Sequence, residues 1–257
     1  MYDTAEIVNE KIGRKQINTI DIGGGIPTSY TEPHECVDFK QYREAIETAI
    51  PKFFNGDYRI LTEFGRSVFV KSGVILSKVF TTKDANLEGT AFDRVRAEGK
   101  QNPIIFAHCG SNTLVREAYN PDKLYSFYNK KVNILNSKFN ILNLSWRRRF
   151  SMFNLDGSLK EAEVLKSTDI AGPLCFQGDY ICKNVPLPEA KRDDLIVVHD
   201  CGGYTRSLYS RFNSRPAHAV YGIERVDGDI KFHLFKAKET DDEVLSFWGS
   251  KEPLSTI

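Results

Sequence analysis

The chain changes its pattern of apolar residues near Gly73, and this change limits the folds that are open to it. Helical and strand patterns alternate along residues 1–72, whereas short apolar or alternating runs dominate residues 73–257. Alternating helices and strands are typical of a parallel α/β layer, and short strands between turns are typical of a β-sandwich or barrel. The sequence therefore predicts two domains of different architecture that meet near this glycine.

Three helices and two strands are predicted in the first domain. Residues 1–16 have the spacing of an amphipathic helix, and the apolar run 17–22 (INTIDI) predicts a buried strand. Apolar residues recur at helical spacing over 41–54, a second strand is predicted over 58–64, and a short helix begins near Arg66. A closed (β/α)8 barrel needs about 250 residues. These residues therefore form either a small layer of their own or the tail of an incomplete barrel.

The second domain is predicted to be all-β, with turn signals such as Asp156-Gly157 and Asp227-Gly228 between its strands. The polar stretch 84–101 predicts a loop, and ETDDEVLSFW (239–248) predicts one or two helical turns. The strand candidates are VILSKVFTT, NPIIFAHCG, FNILNLSW, RRRFSMFN, DYICKNVPL, DLIVVHDCG, AHAVYGIERV and IKFHLFKAK.

Composition argues against several classes of function. Lysine and arginine number 35 against 34 acidic residues, so the net charge of +1 gives no bulk attraction to nucleic acid or an anionic membrane. No run of about 18 apolar residues is present to span a bilayer, and no apolar leader segment is visible at the N-terminus. The 5 cysteines are spread out without a C-x-x-C pair, which predicts no metal site and reduced thiols in the cytoplasm.

A glycine triplet, Gly23-Gly24-Gly25, follows the first predicted strand directly. Backbone N–H groups of such a turn can converge on an anion. Pro27 and Thr28 follow the triplet, so the G-x-G-x-x-G fingerprint of dinucleotide-binding proteins is absent. On the residues alone, an anion site and a plain strand-to-helix turn are both open.

A second motif, Glu63-Phe64-Gly65-Arg66, ends the second predicted strand. Its acidic and basic side chains are three residues apart and could form a surface ion pair of little energetic value. They could instead face two parts of one ligand, with the arginine on a phosphate and the glutamate on a ring nitrogen. The pattern leaves both interpretations open.

Two further motifs lie in the predicted β domain. Cys175 stands in GPLCFQGD, where a buried inert thiol is the usual explanation, and Tyr204 follows a glycine pair in HDCGGY, where a core aromatic is the plain interpretation. The run Arg147-Arg148-Arg149 could bind a phosphate group, but a short charge run is usually a solvated face, which is the interpretation preferred here. Lys71 in VFVKSG is interpreted as solvated or structural.

Taken together and in this order, DIGGG, TEFGR, AGPLCFQGD and HDCGGYTRSLYSRFNSRP resemble the fold-type III pyridoxal-phosphate decarboxylases. The similarity is greatest to the diaminopimelate decarboxylases, with ornithine and arginine decarboxylases more distant. The resemblance implies that 1–72 are the last βα units of an incomplete, pyridoxal-phosphate-binding (β/α)8 barrel. It also implies that 73–257 are the family's C-terminal β-sandwich or barrel domain.

The function implied by the resemblance is decarboxylation of an amino acid by pyridoxal 5'-phosphate. The substrate would be meso-diaminopimelate, giving lysine, or a related basic amino acid, in a homodimer whose active site lies at the interface. The implied cofactor-binding set has glycines and a tyrosine on the phosphate, an arginine paired with it, and a glutamate on the pyridine nitrogen. This set is Gly23, Gly24, Gly25, Glu63, Gly65, Arg66 and Tyr204.

Three further residues receive roles by the same resemblance. Cys175 would reach across the dimer interface and help to reprotonate the substrate Cα after CO₂ has left. Arg116 in SNTLVREAY would hold a substrate carboxylate, with Tyr119 nearby, although the spacing of this pair differs by one residue from the family pattern.

The sequence also departs from the family. The family's Schiff-base lysine lies well upstream of the glycine triplet, and none of the 22 residues before Gly23 matches it, so this chain alone is expected to be inactive. Phe64 replaces the usual proline, and Phe176 replaces the glutamate that follows the cysteine in diaminopimelate decarboxylases. These departures keep a second hypothesis open, in which the chain is a non-catalytic regulatory protein that dimerises with a full-length decarboxylase.

Overall fold

A computed structural model of the protein describes five stretches of the chain. Within them, no helix is both long enough and apolar enough to cross a membrane. The strand predicted in FNILNLSW and almost all of the loop predicted over 84–101 lie outside the described residues. The described stretches are 1–26, 28–30, 38–84, 102–115 and 148–249.

The first domain contains the predicted alternation of helices and strands. Its two strands are parallel, as predicted, with Ile20 opposite Ile60, and they pack against the aromatic rings of Tyr2, Phe53 and Tyr58. The elements are α1 (Tyr2–Ile12), β1 (Thr19–Asp21), α2 (Phe39–Ala49), β2 (Arg59–Leu61) and α3 (Arg66–Phe69).

Local chemistry explains where the two longer helices begin and end. α1 stops at Gly13, which adopts the left-handed conformation with φ of 69° and donates its N–H to the Glu10 carbonyl. α2 starts after Asp38, whose carboxylate accepts a hydrogen bond from the Lys40 N–H, and it ends before Pro51. Both helices are shorter than predicted because these signals lie inside the apolar periodicity.

After Gly73, the described residues contain eight strands and a closing helix. Six strands form one sheet in the order β5-β8-β3-β4-β6-β7, in which only the β4–β6 pair is parallel, and β9 and β10 form a separate antiparallel hairpin. The elements are β3 (Ile75–Lys83), β4 (Ile104–Ala107), β5 (Phe150–Phe153), β6 (Lys166–Ala171), β7 (Tyr180–Leu187), β8 (Leu195–Val198), β9 (Val220–Val226), β10 (Asp229–Lys236) and α4 (Asp241–Trp248).

The main core lies on one face of the six-stranded sheet. Val79, Ile170, Ile196 and Val198 are completely buried there, and they come from β3, β6 and β8. Burial of branched apolar side chains on a pleated surface is the main stabilising contribution of such a sheet. The turn between β9 and β10 is the predicted Asp227-Gly228, and both residues have positive φ, as a tight hairpin requires.

Strand β6 was not among the predicted strands. Its sequence, KSTDIA, places polar residues beside its few apolar ones, so the apolar period that identifies a strand is weak. The structure nevertheless buries Thr168, Ile170 and Ala171, because β6 lies inside the sheet between β4 and β7. The position of the strand in the sheet, and not its local pattern, accounts for its formation.

The β1–β2 layer and the six-stranded sheet meet where α3 ends. The Cys201 N–H donates to the Gly73 carbonyl at 2.7 Å, and the Gly202 N–H donates to the Val70 carbonyl at 3.0 Å. A Cβ on Gly202 would lie 1.8 Å from the Phe69 carbonyl oxygen, so only glycine fits at this position. The turn after β8 is thereby held against the end of α3.

Candidate functional site

The glycine triplet forms a tight turn at the end of β1. The Asp21 carboxylate accepts a hydrogen bond from the Gly23 N–H at 2.8 Å. Gly23 and Gly25 have φ of +69° and +92°, a conformation that L side chains rarely adopt. The space beside both Cα atoms is open to at least 4 Å within the described residues, which leaves room for a ligand next to the backbone.

The triplet and the Glu63 motif are in direct contact. The Glu63 N–H donates to the Gly23 carbonyl at 2.8 Å, which extends the β1–β2 pairing by one step. A Cβ on Gly24 would lie 2.6 Å from the Glu63 carbonyl oxygen, so the two backbones approach more closely than any side chain allows. The side chain of Glu63 is exposed at this edge of the layer.

Arg66 and Tyr204 meet next to this contact, although they are far apart in the chain, Arg66 at the start of α3 and Tyr204 after β8. The Arg66 guanidinium carbon lies 4.8 Å from the centre of the Tyr204 ring, within the range of a cation–π interaction. A Cβ on Gly65 would lie 3.1 Å from the Tyr204 hydroxyl, so this hydroxyl faces the backbone just before Arg66. Tyr204 has a φ of 58°, a strained conformation of the kind that often occurs at functional sites.

Two residues of the cluster were not predicted from the sequence. Tyr30 is 3% exposed, its hydroxyl accepts a hydrogen bond from Arg66 Nη1, and its ring centre lies 5.9 Å from the Arg66 guanidinium carbon. The Arg148 guanidinium carbon lies 5.5 Å from the same ring centre. Rings and guanidinium groups thus alternate in a row, which we call the Tyr–Arg stack: Tyr204, Arg66, Tyr30 and Arg148.

The prediction that Arg147-Arg148-Arg149 forms a solvated charged face is wrong for the residues that the structure describes. Arg148 is 6% exposed and donates to the carbonyl of Asp200. Arg149 is partly buried and forms an ion pair with the Asp200 carboxylate at 3.3 Å. Arg148 and Arg149 point into the protein because Asp200, in the turn after β8, supplies acceptors for both guanidinium groups. Arg147 lies outside the described residues.

Asp200 connects three basic side chains beside the stack. Lys71 pairs with the same carboxylate oxygen as Arg149, also at 3.3 Å, which fits the structural role expected for this lysine. Asp200 is 3% exposed and has a φ of 59°. Burial, together with the nearby Arg149 charge, lowers the pKa of His199, whose Nε2 lies 2.8 Å from the Ser151 hydroxyl.

Two buried hydroxyl groups near the cluster make no hydrogen bond within the described residues. One is Thr28 Oγ1, between the glycine triplet and Tyr30 in the chain, and the other is Ser67 Oγ, directly after Arg66. Buried polar groups are nearly always satisfied, so each such exception calls for an explanation. A polar ligand at the turn would provide one.

Cys175 lies on a separate turn between β6 and β7. The buried Asp179 carboxylate shapes this turn by accepting hydrogen bonds from the Ser111 and Leu174 N–H groups, each at 2.7 Å. Cys175 is exposed, so its interpretation as a buried inert thiol is wrong, and its N–H donates to Asn213 Oδ1 at 2.8 Å. Phe176 is 49% exposed on the same turn.

The structure thus brings together the triplet, Glu63, Gly65, Arg66 and Tyr204. The contacts described for Cys175 lie on its own turn and with Asn213, outside this cluster. Arg116 and Tyr119 lie outside the described residues. Among the described residues, no group of three or more His, Cys, Asp or Glu side chains is placed to hold a metal ion.

Comparison with known proteins identifies the class to which this arrangement belongs. The sequence profile of the pyridoxal-dependent decarboxylase C-terminal sheet domain matches residues 36–202, well over half of the chain. The chain therefore belongs to the pyridoxal-dependent decarboxylase family. The match covers Glu63, Arg66 and Cys175, and it extends from the first domain into the six-stranded sheet.

The chain is similar to several diaminopimelate decarboxylases. The enzyme of Buchnera aphidicola is 25% identical over 242 residues, which are 90% of this chain and 48% of the relative. That of Escherichia coli K12 is 26% identical with the same coverage. The chain thus spans about half the length of the curated relatives that it matches.

Solved structures show the same fold. Diaminopimelate decarboxylase from Helicobacter pylori complexed with L-lysine superposes with a TM-score of 0.65 at 21% identity, over 96% of this chain and 48% of that one. Lysine/ornithine decarboxylase from Vibrio vulnificus complexed with cadaverine superposes with a TM-score of 0.55 at 20% identity, over 82% and 45%. Most of this chain therefore shares its fold with a little under half of each of these structures.

Proposed function

We propose that this chain binds the phosphate and ring of pyridoxal 5'-phosphate and forms the cofactor-binding and sheet part of an amino-acid decarboxylase. The observation that carries the proposal is the direct contact between the triplet and Glu63, with Arg66 and Tyr204 beside them. A phosphate is a dianion, and backbone N–H groups, a guanidinium and a phenol are suited to bind it. The domain limits 1–72 and 73–257, with the first domain as the end of a barrel, are part of this proposal.

The described residues fit this cofactor. The turn offers open space beside Gly23 and Gly25, a cation at Arg66, and buried hydroxyl groups at Thr28 and Ser67 that no described residue satisfies. In the proposal, Gly23, Gly24 and Gly25 would bind the phosphate through backbone N–H groups, and Arg66 would neutralise its charge. The hydroxyl of Tyr204, beside Gly65, would donate a hydrogen bond to it.

Glu63 would act at the other end of the cofactor. The exposed carboxylate projects from the same strand end that contacts the triplet, so one short segment presents both an anion-binding turn and an acidic group. A carboxylate beside a pyridine nitrogen keeps that nitrogen protonated. The protonated cofactor supplies the electron sink for loss of CO₂ from the substrate.

Cys175 would hold or deliver a proton at the substrate Cα after CO₂ has left. Its exposure on a turn outside the cofactor cluster supports the expectation that it serves the active site of a second protomer in a homodimer. Arg116 and Tyr119 would bind a carboxylate of the amino-acid substrate. The lysine that holds the cofactor in the family would come from the part of the relatives that this chain does not span.

Phe176 bears on the choice of substrate. The exposed phenyl ring, packed edge-on to Phe212 at 6.4 Å between centroids, can accept no hydrogen bond from an ammonium group in the way that a glutamate does. The proposed substrate class is meso-diaminopimelate or a related basic amino acid, and this substitution argues against a hydrogen bond from residue 176 to the distal end of meso-diaminopimelate. The same substitution favours the alternative function, a non-catalytic protein that regulates a full-length decarboxylase by dimerising with it.

Cofactor binding by the full chain tests the proposal first. Equilibrium dialysis is expected to show tighter binding of pyridoxal 5'-phosphate than of pyridoxal, which lacks the phosphate. The Arg66→Ala variant should weaken binding of the phosphorylated form by about 10- to 100-fold, because it removes charge-assisted hydrogen bonds. Arg43→Ala, at an exposed arginine on α2 that pairs with Glu47, is the matched control and should leave binding unchanged. Equal affinity of the wild type for both compounds would contradict the proposal.

Activity is tested by complementation. The part of a diaminopimelate decarboxylase that this chain does not span is produced separately and mixed with the chain and pyridoxal 5'-phosphate. Release of CO₂ from meso-diaminopimelate, lysine, ornithine or arginine supports the enzyme, and Cys175→Ser should reduce its rate. Cofactor binding without CO₂ release, together with co-elution with an intact decarboxylase, would favour the regulatory alternative.

A further inference from the structure

Tyr30 lies in the middle of the Tyr–Arg stack, between two guanidinium groups. Its hydroxyl accepts a hydrogen bond from Arg66 Nη1, and the ring centre lies 5.9 Å from the guanidinium carbon of that residue. Arg148 lies 5.5 Å from the same ring centre. Tyr30 is 3% exposed, so it is fixed by its surroundings and does not move freely in solvent.

The geometry restricts the guanidinium of Arg66. An arginine side chain has many rotamers, and holding it in one of them before a ligand arrives reduces the entropy lost on binding. Tyr204 lies on one side of Arg66 at 4.8 Å, and Tyr30 adds a directed hydrogen bond at one of its nitrogen atoms. Contact with the face of a ring leaves the guanidinium group free to shift across that face, whereas a hydrogen bond to one of its nitrogen atoms also fixes its rotation.

Arg148 secures Tyr30 from within the sheet domain. Its guanidinium donates to the Asp200 carbonyl, and Cys201 Sγ lies 3.6 Å from the same nitrogen. Asp200 and Cys201 belong to the turn after β8 that also carries Tyr204. The two tyrosines that contact Arg66 are therefore both tied to this turn, one through the chain and the other through Arg148.

We propose that Tyr30 is a positioning residue that holds the Arg66 guanidinium in the orientation needed to receive the cofactor phosphate, an inference that rests on the proposed function. Tyr30 itself does not touch the reacting atoms. Its effect should be limited to ligands that carry a phosphate, because it acts only through Arg66.

The Tyr30→Phe variant isolates the hydroxyl, since the ring remains to pack between the two guanidinium groups. Tyr209→Phe is the matched control, because it also removes a phenolic hydroxyl that hydrogen-bonds within the protein, in this case to the Arg215 carbonyl. Circular dichroism and a melting curve of both full-length variants check that the fold is kept.

A measurement without ligand tests the positioning directly. Side-chain ¹⁵N NMR, with the Arg66 signals assigned from an Arg66→Lys variant, reports rotation about the Nε–Cζ bond. We expect restricted rotation in the wild type and in Tyr209→Phe, and averaged signals in Tyr30→Phe. Arg66 rotation that stays restricted in Tyr30→Phe would overturn the inference. Free rotation of Arg66 in the wild type would also overturn it, and this second result does not depend on the folding of any variant.

Cofactor binding gives the second measurement. Tyr30→Phe should weaken binding of pyridoxal 5'-phosphate by about fivefold and leave pyridoxal binding unchanged. The effect is smaller than the full loss of a hydrogen bond to a charged group because Tyr30 acts on the phosphate through Arg66. An equal loss for both compounds, or no loss for either, would overturn the positioning role while the proposed function stands. A wild-type chain that does not prefer the phosphorylated compound would overturn the proposed function, and with it this inference.

Discussion

The six-stranded sheet and the β1–β2 layer differ in how completely they bury their apolar residues. In the sheet, Val79, Ile196 and Val198 are inaccessible to solvent. In the layer, by contrast, Val68 is 50% exposed and Phe69 is 55% exposed. The sheet also contains the larger cluster of buried apolar residues, so we expect the layer to depend more on its contacts with the sheet.

The two regions should differ most in the free energy of unfolding that is lost when a buried side chain is truncated and leaves a cavity. Ile196→Ala removes a completely buried side chain from the centre of the sheet and should lower the free energy of unfolding by about 3–4 kcal/mol. Ile20→Ala makes the same change on β1, where the small cluster can collapse around the gap, and should cost less than about 2 kcal/mol. Urea denaturation followed by circular dichroism measures both. Equal costs would show that the layer is packed as firmly as the sheet.

The contact between α3 and the turn after β8 should be disrupted by the addition of one methyl group. Gly202→Ala places a Cβ 1.8 Å from the Phe69 carbonyl oxygen, so the turn must separate from α3. We expect a loss of about 1–3 kcal/mol, as for other overpacked sites, and a loss of cofactor binding. Gly203→Ala is the control, because the nearest atom to its Cβ would be a Val70 methyl carbon at 3.2 Å, and the next atoms lie at ordinary contact distance. Equal melting temperatures for both variants would contradict the role given to the junction.

A smaller effect is expected at the base of the β9–β10 hairpin, where Glu239, after β10, binds residues that precede β9 and where acid should weaken the fold. The Arg211 hydrogen bond, and then the Ala217 N–H, lower the pKa of Glu239 to about 2. A carboxylate with a lowered pKa stabilises the fold above its ordinary pKa of 4.5, and this contribution is lost as the pH falls from 4.5 to about 2.

Glu239→Gln should remove that part of the pH dependence and lower the melting temperature at pH 7 by roughly 5 °C. Melting curves between pH 2 and 7 of the wild type and the variant measure both effects. The exposed Glu44→Gln on α2 serves as the control. A variant that keeps the full acid sensitivity of the wild type would assign it to another group.

The smallest change is a difference in thiol reactivity. Burial raises the pKa of the Cys109 thiol to about 11, so this sheet residue should react slowly with a disulfide reagent at pH 8. Cys175 is exposed and should react quickly. In a stopped-flow assay, we expect Cys175→Ser to lose one fast-reacting thiol per chain. Cys109→Ser should leave the fast phase unchanged. A fast phase that survives in Cys175→Ser at full amplitude would contradict it.

The sequence predicted the elements whose signals are local. The positions of glycine and proline residues predicted the end of β1 and the hairpin turn, and the spacing of apolar residues predicted the helices. The contact between Glu63 and the triplet was predictable because parallel strands place their carboxyl ends at one edge. The ordered motifs then pointed to the family, which the comparison confirmed.

The rest depended on distant neighbours. The burial of Arg148 follows from its acceptors on the turn after β8, about fifty residues later in the chain, and no local pattern signals it. Tyr30 is a single tyrosine beyond the triplet, and only its contact with Arg66 distinguishes it from any other buried aromatic residue. β6 forms for the same kind of reason, since its partners β4 and β7 define it more than its own residues do.

The position of Tyr204 would give the proposed anion site a second role. Its ring lies on the turn after β8, whereas Arg66 and the triplet belong to the layer, so a ligand that contacted all three would touch both parts of the molecule. By mass action, a dianion present at a hundred times its dissociation constant for this site would stabilise the folded form by about 2.7 kcal/mol. The concentration of such a ligand would therefore set the fraction of molecules in which the layer is folded.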